Sequence, residues 1–311
     1  MQLANSRPSE PLLDRHVRRA NRGDAAVVQR LLRMGVYVHI HVDWRLPGEW
    51  LGRPGFFLYG RDETENDSLT PAKKVTNEWV ACMAVAAEPP PTAWVRVAAV
   101  DSASGFARMQ SLFQRVLSEL DPEINEIAWF LTDYWPLHWL ERLGCMPVSD
   151  VLAYRKEGLT APPFASLPDL VIRPLLIEDI PALAAIETSA FEPRWRHSAD
   201  DLYLAWRHSI CFTVALLNGQ PVAFQFSTGG EGGNAHLSRM SVHPDNQGMG
   251  IGGALLANAL GIYRLLNIKT VTLNTQSDNT ISRRLYERFG FQPTGFSYPV
   301  WSYFPNRAQT G

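Results

Sequence analysis

Two periodicities alternate along the second half of the chain. Leu170 to Arg173 is a short apolar run that reads as a strand. Between Glu178 and Ala190 the apolar positions Ile180, Leu183 and Ile186 recur at helical spacing. Ser198, with Asp200 and Asp201 behind it, supplies the N-cap and acidic first turn of a second helix. The runs CFTVALL (211–217) and PVAFQFS (221–227) flank Asn218 and Gly219, a pair that favours a two-residue hairpin turn because both tolerate positive φ. Gly229 to Gly233 reads as a loop, AHLSRMSV (235–242) as a strand, the stretch after Gly253 as a helix to about Leu266, and KTVTLNT (269–275) as another strand. A last helix runs from about Thr280 to Phe289 and stops at Gly290, the residue type that ends helices most readily. FSYPVWSYF (296–304) closes the chain as a strand pair or extended tail. This order predicts an α/β fold on a mixed, largely antiparallel sheet flanked by helices.

The first half carries a faint copy of the second. In LTDYWPLHWLERLGCMP, the residues Glu141, Arg142, Gly144 and Pro147 stand at a constant offset of 146 positions from Glu287, Arg288, Gly290 and Pro293 in DNTISRRLYERFGFQP. Upstream, WVRVAAVDSASGFARMQSLFQRVL parallels HLSRMSVHPDNQGMGIGGALLANAL in strand, polar turn and helix. A copy of this length indicates a duplicated domain. The aperiodic stretch around residues 156–174, rich in Pro and small residues, reads as the connection. The expected organisation is therefore a polar segment 1–23, a first domain 24–158, a linker 159–169 and a second domain 170–311.

Composition narrows the class. A chain of 311 residues, 46% hydrophobic and with ten Trp, has room for two cores. A formal charge of −2 offers no electrostatic reason for a nucleic acid or an anionic membrane as partner. The basic cluster Arg15, His16, Arg18, Arg19 and Arg22 lies in a polar start and reads as a solvated segment. Cys82, Cys145 and Cys211 are too widely spaced for a disulfide framework or a zinc site, so no metal is implied. With no apolar run of the ~20 residues a membrane span needs, a cytoplasmic protein is expected.

The chemistry begins at DNQGMGIGGALL (245–256), where four glycines occupy residues 248–253 just ahead of a helix. Bare backbone at a helix N-terminus presents N–H groups at the positive end of the dipole, which suits a phosphate. The plain alternative is a loop whose glycines only cap the helix. A P-loop requires Lys and then Ser or Thr after its last Gly, whereas Ala254 and Leu255 follow Gly253. Gly248, Gly250 and Gly253 satisfy Gly-x-Gly-x-x-Gly, but the acidic residue ~20 positions on is missing, which weakens a nicotinamide reading.

The run MSVHPDNQGMGIGGALL resembles the acetyl-CoA pyrophosphate loop of the GNAT acetyltransferase superfamily. SDNTISRRLYERFGFQPTG resembles that family's second signature, with Asn279, Tyr286, Gly290, Phe291 and Gly295 in the places the family uses. The resemblance covers residues 165–311 and implies acetyl-CoA as cosubstrate, attacked directly by a primary amine in a ternary complex. It implies that the strand Arg239 to Val242, with Met240, Ser241 and Val242 as its site residues, holds the pantetheine arm through its backbone. Gln247, Gly248, Met249, Gly250, Ile251, Gly252 and Gly253 would hold the pyrophosphate, Asn279 would touch the arm, and Tyr286 would be the general acid. Asn279 also suits a helix N-cap, and Tyr286 also suits the core beside Phe289 and Phe291.

The base and the acceptor stay open. The stretch IETSAFEPRW, with Glu187, Phe191 and Trp195, looks like the opening of the subgroup that acetylates protein N-termini. That subgroup carries a Glu where this chain has Asn274. His236 and Ser238 lie on the strand before the loop, where they could face the acceptor, and His243 reads as a surface residue. An α-amine of pKa ~7.7–8 is partly neutral near pH 7 and a Lys amine of ~10.4 is not, so a site without a strong base favours a protein N-terminus or a small-molecule amine of similar pKa. The copy in the first half has one glycine, Gly105, where the second half has four, and Leu140 at the place of Tyr286. Its seven Trp suit a packing partner or one wall of the acceptor pocket. The alternative function is a regulatory module that binds acyl-CoA without catalysis.

Overall fold

The computed structural model describes residues 16–61, 78–163, 167–230 and 232–306. Arg15, most of the polar segment and positions 164–166 of the expected linker lie outside them. The chain divides into two units: one contains Met1–Ala86, Val95–Pro122 and Asp133–Gly144, the other Ala87–Trp94, Glu123–Thr132 and Cys145–Gly311.

In the first unit, strand β1 (Val17–Arg19) and helix α1 (Ala25–Met34) precede β2 (Tyr37–Ile40), β3 (Phe56–Gly60), β4 (Trp79–Ala86) and the later part of β5 (Thr92–Val100). Helix α2 (Phe106–Ser118) and the one-turn α3 (Leu137–Leu140) follow. β1 pairs with β3 and β3 with β4, while β2 lies antiparallel on β5 from Tyr37↔Val100 to Ile40↔Val97. Val28 and Leu31, one helical turn apart on α1, close a core with Trp50, Phe56, Leu58, Val97 and Ala99. Where the sequence echo predicts a counterpart of the last helix, only the single turn of α3 forms, followed by a 3-10 turn at Glu141–Leu143.

The second unit takes β6 (Glu126–Phe130), β7 (Met146–Glu157), β8 (Leu170–Pro174), α4 (Ile180–Ala190), α5 (Ala199–His208), β9 (Ser209–Leu217), β10 (Gln220–Gly230), β11 (Asn234–Val242), α6 (Ile251–Leu265), β12 (Thr270–Gln276), α7 (Thr280–Arg288) and β13 (Gln292–Tyr303). Its strands run in the order β8, β9, β10, β11, β12, β7, β13, β6. Pairing is antiparallel except for β11 with β12 and for β6 with the first residues of β5. The fold is thus the mixed α/β arrangement expected from the sequence.

Four readings of the sequence change. The basic cluster expected in a solvated segment is partly folded: Val17–Arg19 pairs with β3 as β1, and Arg18 donates to Asp24 at 2.7 and 2.8 Å. The domain boundary expected at residue 158 is crossed, because β7 groups with the second unit. Its backbone is laddered to β12 from Glu157↔Thr270 to Val151↔Gln276 and to β13 on the other edge. A strand hydrogen-bonded on both sides cannot belong elsewhere. Gly229 and Gly230, expected in a loop, continue β10 opposite Ala235 and Asn234. A Cβ on Gly229 would meet Ile210 Cγ2 at 2.9 Å, so glycine there serves close packing. The C-terminal run is one strand whose register shifts lie between Pro293 and Ser297 and between Val300 and Trp301.

Two features set up the site. A buried chain of Gln225, Thr213, Cys211 and Ser227, ending on the Tyr263 hydroxyl, ties α6 to β9 and β10 with its polar atoms satisfied. On β11, Ser238 is an extra residue: Phe226 of β10 faces Arg239 while Ser227 faces Leu237. Such a bulge bends its strand. The β11–β12 ladder accordingly stops at Leu237↔Leu273, although both strands continue beyond it. Cys82, Cys145 and Cys211 are free and buried. Among the described residues no helix is long and apolar enough to cross a membrane.

His39 makes this fold sensitive to acid. Its Nε2 lies 3.0 Å from the Val95 carbonyl, and burial pushes its pKa down from 6.5 to about 4 against the pull of that bond. Between those values the unfolded chain binds a proton that the folded chain refuses. The contribution is therefore complete above pH 6.5 and is lost as pH falls toward 4, to the extent of about 3 kcal/mol. We expect the urea midpoint to fall between pH 7 and 4.5 and His39→Gln to flatten that fall; an identical pH dependence in both proteins would remove His39 as its source.

Candidate active site

Where β11 and β12 part, a cleft of about 460 Å³ opens. Residues 238–242 of β11 and 274–276 of β12 form its two sides, and Ala190 and Phe191 border it from the end of α4. Loop residues 246–248 and the start of α6 line one part, and Asn279, Ile281, Ser282, Leu285 and Tyr286 another. The cleft gathers eleven of the twelve site residues expected from the sequence. The exception is Met249, which is 47% exposed and does not line it.

The loop owes its shape to glycine at two places. Gly248 has φ +77° and Gly250 φ +89°, the left-handed region that other residues enter at a cost. Gly250 is the N-cap of α6, and the first intrahelical bond runs from Ala254 N to Gly250 O at 3.1 Å. The N–H groups of Ile251, Gly252 and Gly253 therefore have no partner within the helix and sit at its positive end. A Cβ on Gly248 would meet nothing within 4 Å. An open turn lined with donors fits the pyrophosphate of a CoA thioester. Gly105, its counterpart in the first half, is different: a Cβ there would lie 2.1 Å from Val100 Cγ1, so that loop is closed by its own strand.

Tyr286 is 6% exposed and packs edge-on against Phe291, with ring centroids 5.9 Å apart. Burial pushes its phenol up to about 12, and the charge of Arg239 pulls the other way. The group is protonated throughout the neutral range. Asn279 caps α7 by accepting from Ser282 N at 3.1 Å and also lines the cleft, so both readings of it describe the same residue.

Sequence reasoning placed Arg239 at the start of the arm-binding strand but missed its side chain. Glu187, completely buried on α4, takes Arg239 Nε at 3.0 Å and Nη2 at 2.5 Å. Nη2 also donates to the Trp195 carbonyl, and the guanidinium lies 3.5 Å from the centroid of the Phe191 ring. The signal was present: Glu187 shares the buried face of α4 with Ile180, Leu183 and Ile186. A carboxylate on such a stripe requires a cation. On its far side, the segment 191–197 is held by Arg194 on Glu126 of β6 at 2.6 Å and by Trp195 against Trp94.

The other candidates separate. His236 is half-buried against Thr272 Oγ1 at 2.9 Å, does not line the cleft, and is pushed below its usual pKa by desolvation. Ser238 lines the cleft and donates to the His236 carbonyl at 3.2 Å. His243 accepts from Asp245 N on the turn outside it. Asn274 is exposed on the cleft wall. Among the described residues that line the cleft there is no carboxylate, and among the described residues no group of three or more His, Cys, Asp or Glu is placed to hold a metal ion.

Residues 180–291 match the description "Acetyltransferase (GNAT) family". An uncharacterised N-acetyltransferase of Methanocaldococcus jannaschii is 29% identical over 126 residues, which are 40% of this chain and 78% of that protein. Two solved structures share the fold at low identity. A GCN5-related N-acetyltransferase from Sphaerobacter thermophilus is 17% identical, with 94% of this chain and 97% of that one covered at a TM-score of 0.57. A tandem GNAT protein from the clavulanic acid biosynthesis pathway is 14% identical, with 93% and 98% covered at 0.59. The family match falls on the segment that builds the cleft, its glycine loop and the parted strands, and it is this segment, residues 180–291, that matches the GNAT acetyltransferase family.

Proposed function

We propose that this protein transfers an acetyl group from acetyl-CoA to a primary amine by direct attack within a ternary complex. The observation that carries the reading is one cleft with an open, N–H-lined helix terminus at one part and a protonated Tyr286 at another. When bound, acetyl-CoA supplies the thioester carbonyl that the amine attacks. The N–H groups of Gly248 to Gly253 hold the pyrophosphate. Beyond Leu237 the edge of β11 is no longer laddered to β12, so those peptide groups of Met240 to Val242 that point away from β10 face an extended arm, the Val242 carbonyl already accepting from Gln247 Nε2 at 3.1 Å. Binding both reactants here contributes chiefly through proximity and orientation.

As the C–N bond forms and the C–S bond breaks, the amine gives a proton to water and Tyr286 gives one to the sulfur. A phenol at about 12 donating to a thiolate of ~8.5 is uphill by roughly 5 kcal/mol, more than for an ordinary tyrosine. That deficit already includes the Arg239 charge, without which burial would hold the phenol higher still. With no carboxylate on the lining, the site takes amines that are already partly neutral near pH 7. The first half is a degenerate copy: its loop is closed at Gly105, and Leu140, at the place of Tyr286, is fully buried. Three free cysteines suit the reducing cytoplasm.

Acetyl-CoA at about a hundred times its Kd is expected to add roughly 2.7 kcal/mol to the folded state, read as a rise in melting temperature. Gly250→Glu, which places a carboxylate at the pyrophosphate, should abolish the rise; no rise in the wild type would end the cofactor assignment. Tyr286→Phe is expected to keep the acetyl-CoA shift and to slow CoA thiol release with a broad amine panel by about a hundredfold. An unchanged rate would remove Tyr286 as the acid. A full acetyl-CoA shift without thiol release from any amine would replace catalysis by acyl-CoA binding alone, a reading that Asn274 in the place of a Glu favours.

A further inference from the structure

Arg239 is the single charged side chain among the described residues that line the cleft. Its Nε is spent on Glu187, and its Nη2 on Glu187 and the Trp195 carbonyl. Nη1 is left without a hydrogen bond among the described residues. Contact with the Phe191 ring at 3.5 Å fixes the guanidinium plane, and its side chain is only 11% exposed. The remaining edge is therefore an oriented donor that loses little freedom when used. Its charge is felt at the Tyr286 phenol, which puts it near the reacting end of the cleft.

Across the opening stands Asn274, the first residue of β12 past the last paired position, Leu273. Arg239 follows the corresponding Leu237 on β11, after the bulged Ser238. No side chain among the described residues takes a hydrogen bond from Asn274 or gives one to it. A donor edge and an amide thus face the same opening from its two sides.

The charge balance selects the ligand. Because the carboxylate of Glu187 already matches the guanidinium, a second carboxylate would bring uncompensated negative charge into a partly buried site. A neutral carbonyl oxygen needs only the spare N–H. A polyamine or a Lys ε-ammonium would find no carboxylate on the lining. Resting on the transferase reading above, we infer that the acceptor is an α-amine next to a peptide-type carbonyl: Nη1 of Arg239 donates to that carbonyl oxygen, and Asn274 Oδ1 accepts from the amine. The substrate class is the N-terminus of a peptide or protein, in preference to a free amino acid, a polyamine or a simple amine.

The test measures CoA thiol release from acetyl-CoA by the full-length protein with three mixtures at equal concentrations of neutral amine. The first holds X-Gly-Gly tripeptides with X varied over the uncharged residues, the second the matching free amino acids, and the third the matching amines without a carboxyl group. Lysine and spermidine are run alongside. Release with the tripeptides at least about tenfold above every other mixture is expected from one hydrogen bond of a charged donor. Equal or faster release with free amino acids, polyamines or simple amines overturns the inference and leaves the transferase reading standing. Release with none of them, while acetyl-CoA still raises the melting temperature, overturns the transferase reading itself. Arg239→Lys keeps a cation against Glu187 and removes the fork. It should cut the tripeptide preference about tenfold while the acetyl-CoA shift persists. A preference retained in that variant overturns the role of Arg239, and the wild-type comparison decides the substrate class if the variant does not fold.

Discussion

A parallel ladder that ends at Leu237↔Leu273 is the constraint on which the second unit depends. Each of the two strands keeps a partner on its other edge: β11 is laddered to β10 as far as Val242, and β12 to β7 as far as Gln276. Parting them therefore gives up only the few backbone bonds between their ends, and the bulge at Ser238 supplies the bend. Both strands lead through turns into helices whose N-termini come to the opening, α6 through the glycine loop and α7 through Asn279. One local break in a sheet thus collects bare backbone donors, a buried phenol and an extended strand edge.

The ion pair beside that opening is a different kind of element. Burying Glu187 and Arg239 costs desolvation that their attraction only partly returns, so the pair is weak evidence of stability. Removing one partner would leave a charge stranded, which explains the density of bonds around it: two to Glu187 from Arg239, one from His197 N, and the Arg239 bond to Trp195. Its effect is to hold the segment 191–197 against β11, with Glu126 and Arg194 doing the same from β6. Glu126 is satisfied further by Thr92 and Ser302.

Residues 87–94, 123–132 and the strand β7 come from the part of the chain that echoes the second half, yet they complete the second unit. The echo is also visible in pairing. The first residues of β5 lie parallel to β6 as β11 does to β12, and Gly144 and Gly290 both end a helical turn at φ +81°. At the loop the likeness ends, because Val100 fills the space over Gly105 and nothing fills that over Gly248.

Local chemistry determined much of this in advance. Helical spacing at Ile180, Leu183 and Ile186, the Ser198 cap, the turn at Asn218 and Gly219, and the glycines before α6 depend on near neighbours in the chain, and those elements form where the sequence places them. Eleven of the twelve expected site residues meet in one cleft because the two signatures that contain them sit at the N-termini of helices that follow adjacent strands. Only the tertiary structure decided which sheet edge β7 joins, where the ladder opens, that Met249 turns away and that Arg239 is tied to Glu187. Those outcomes depend on partners far apart in sequence: a hydrogen-bond ladder or a buried charge is satisfied by whatever the fold brings to it, and periodicity along one segment carries no record of the other.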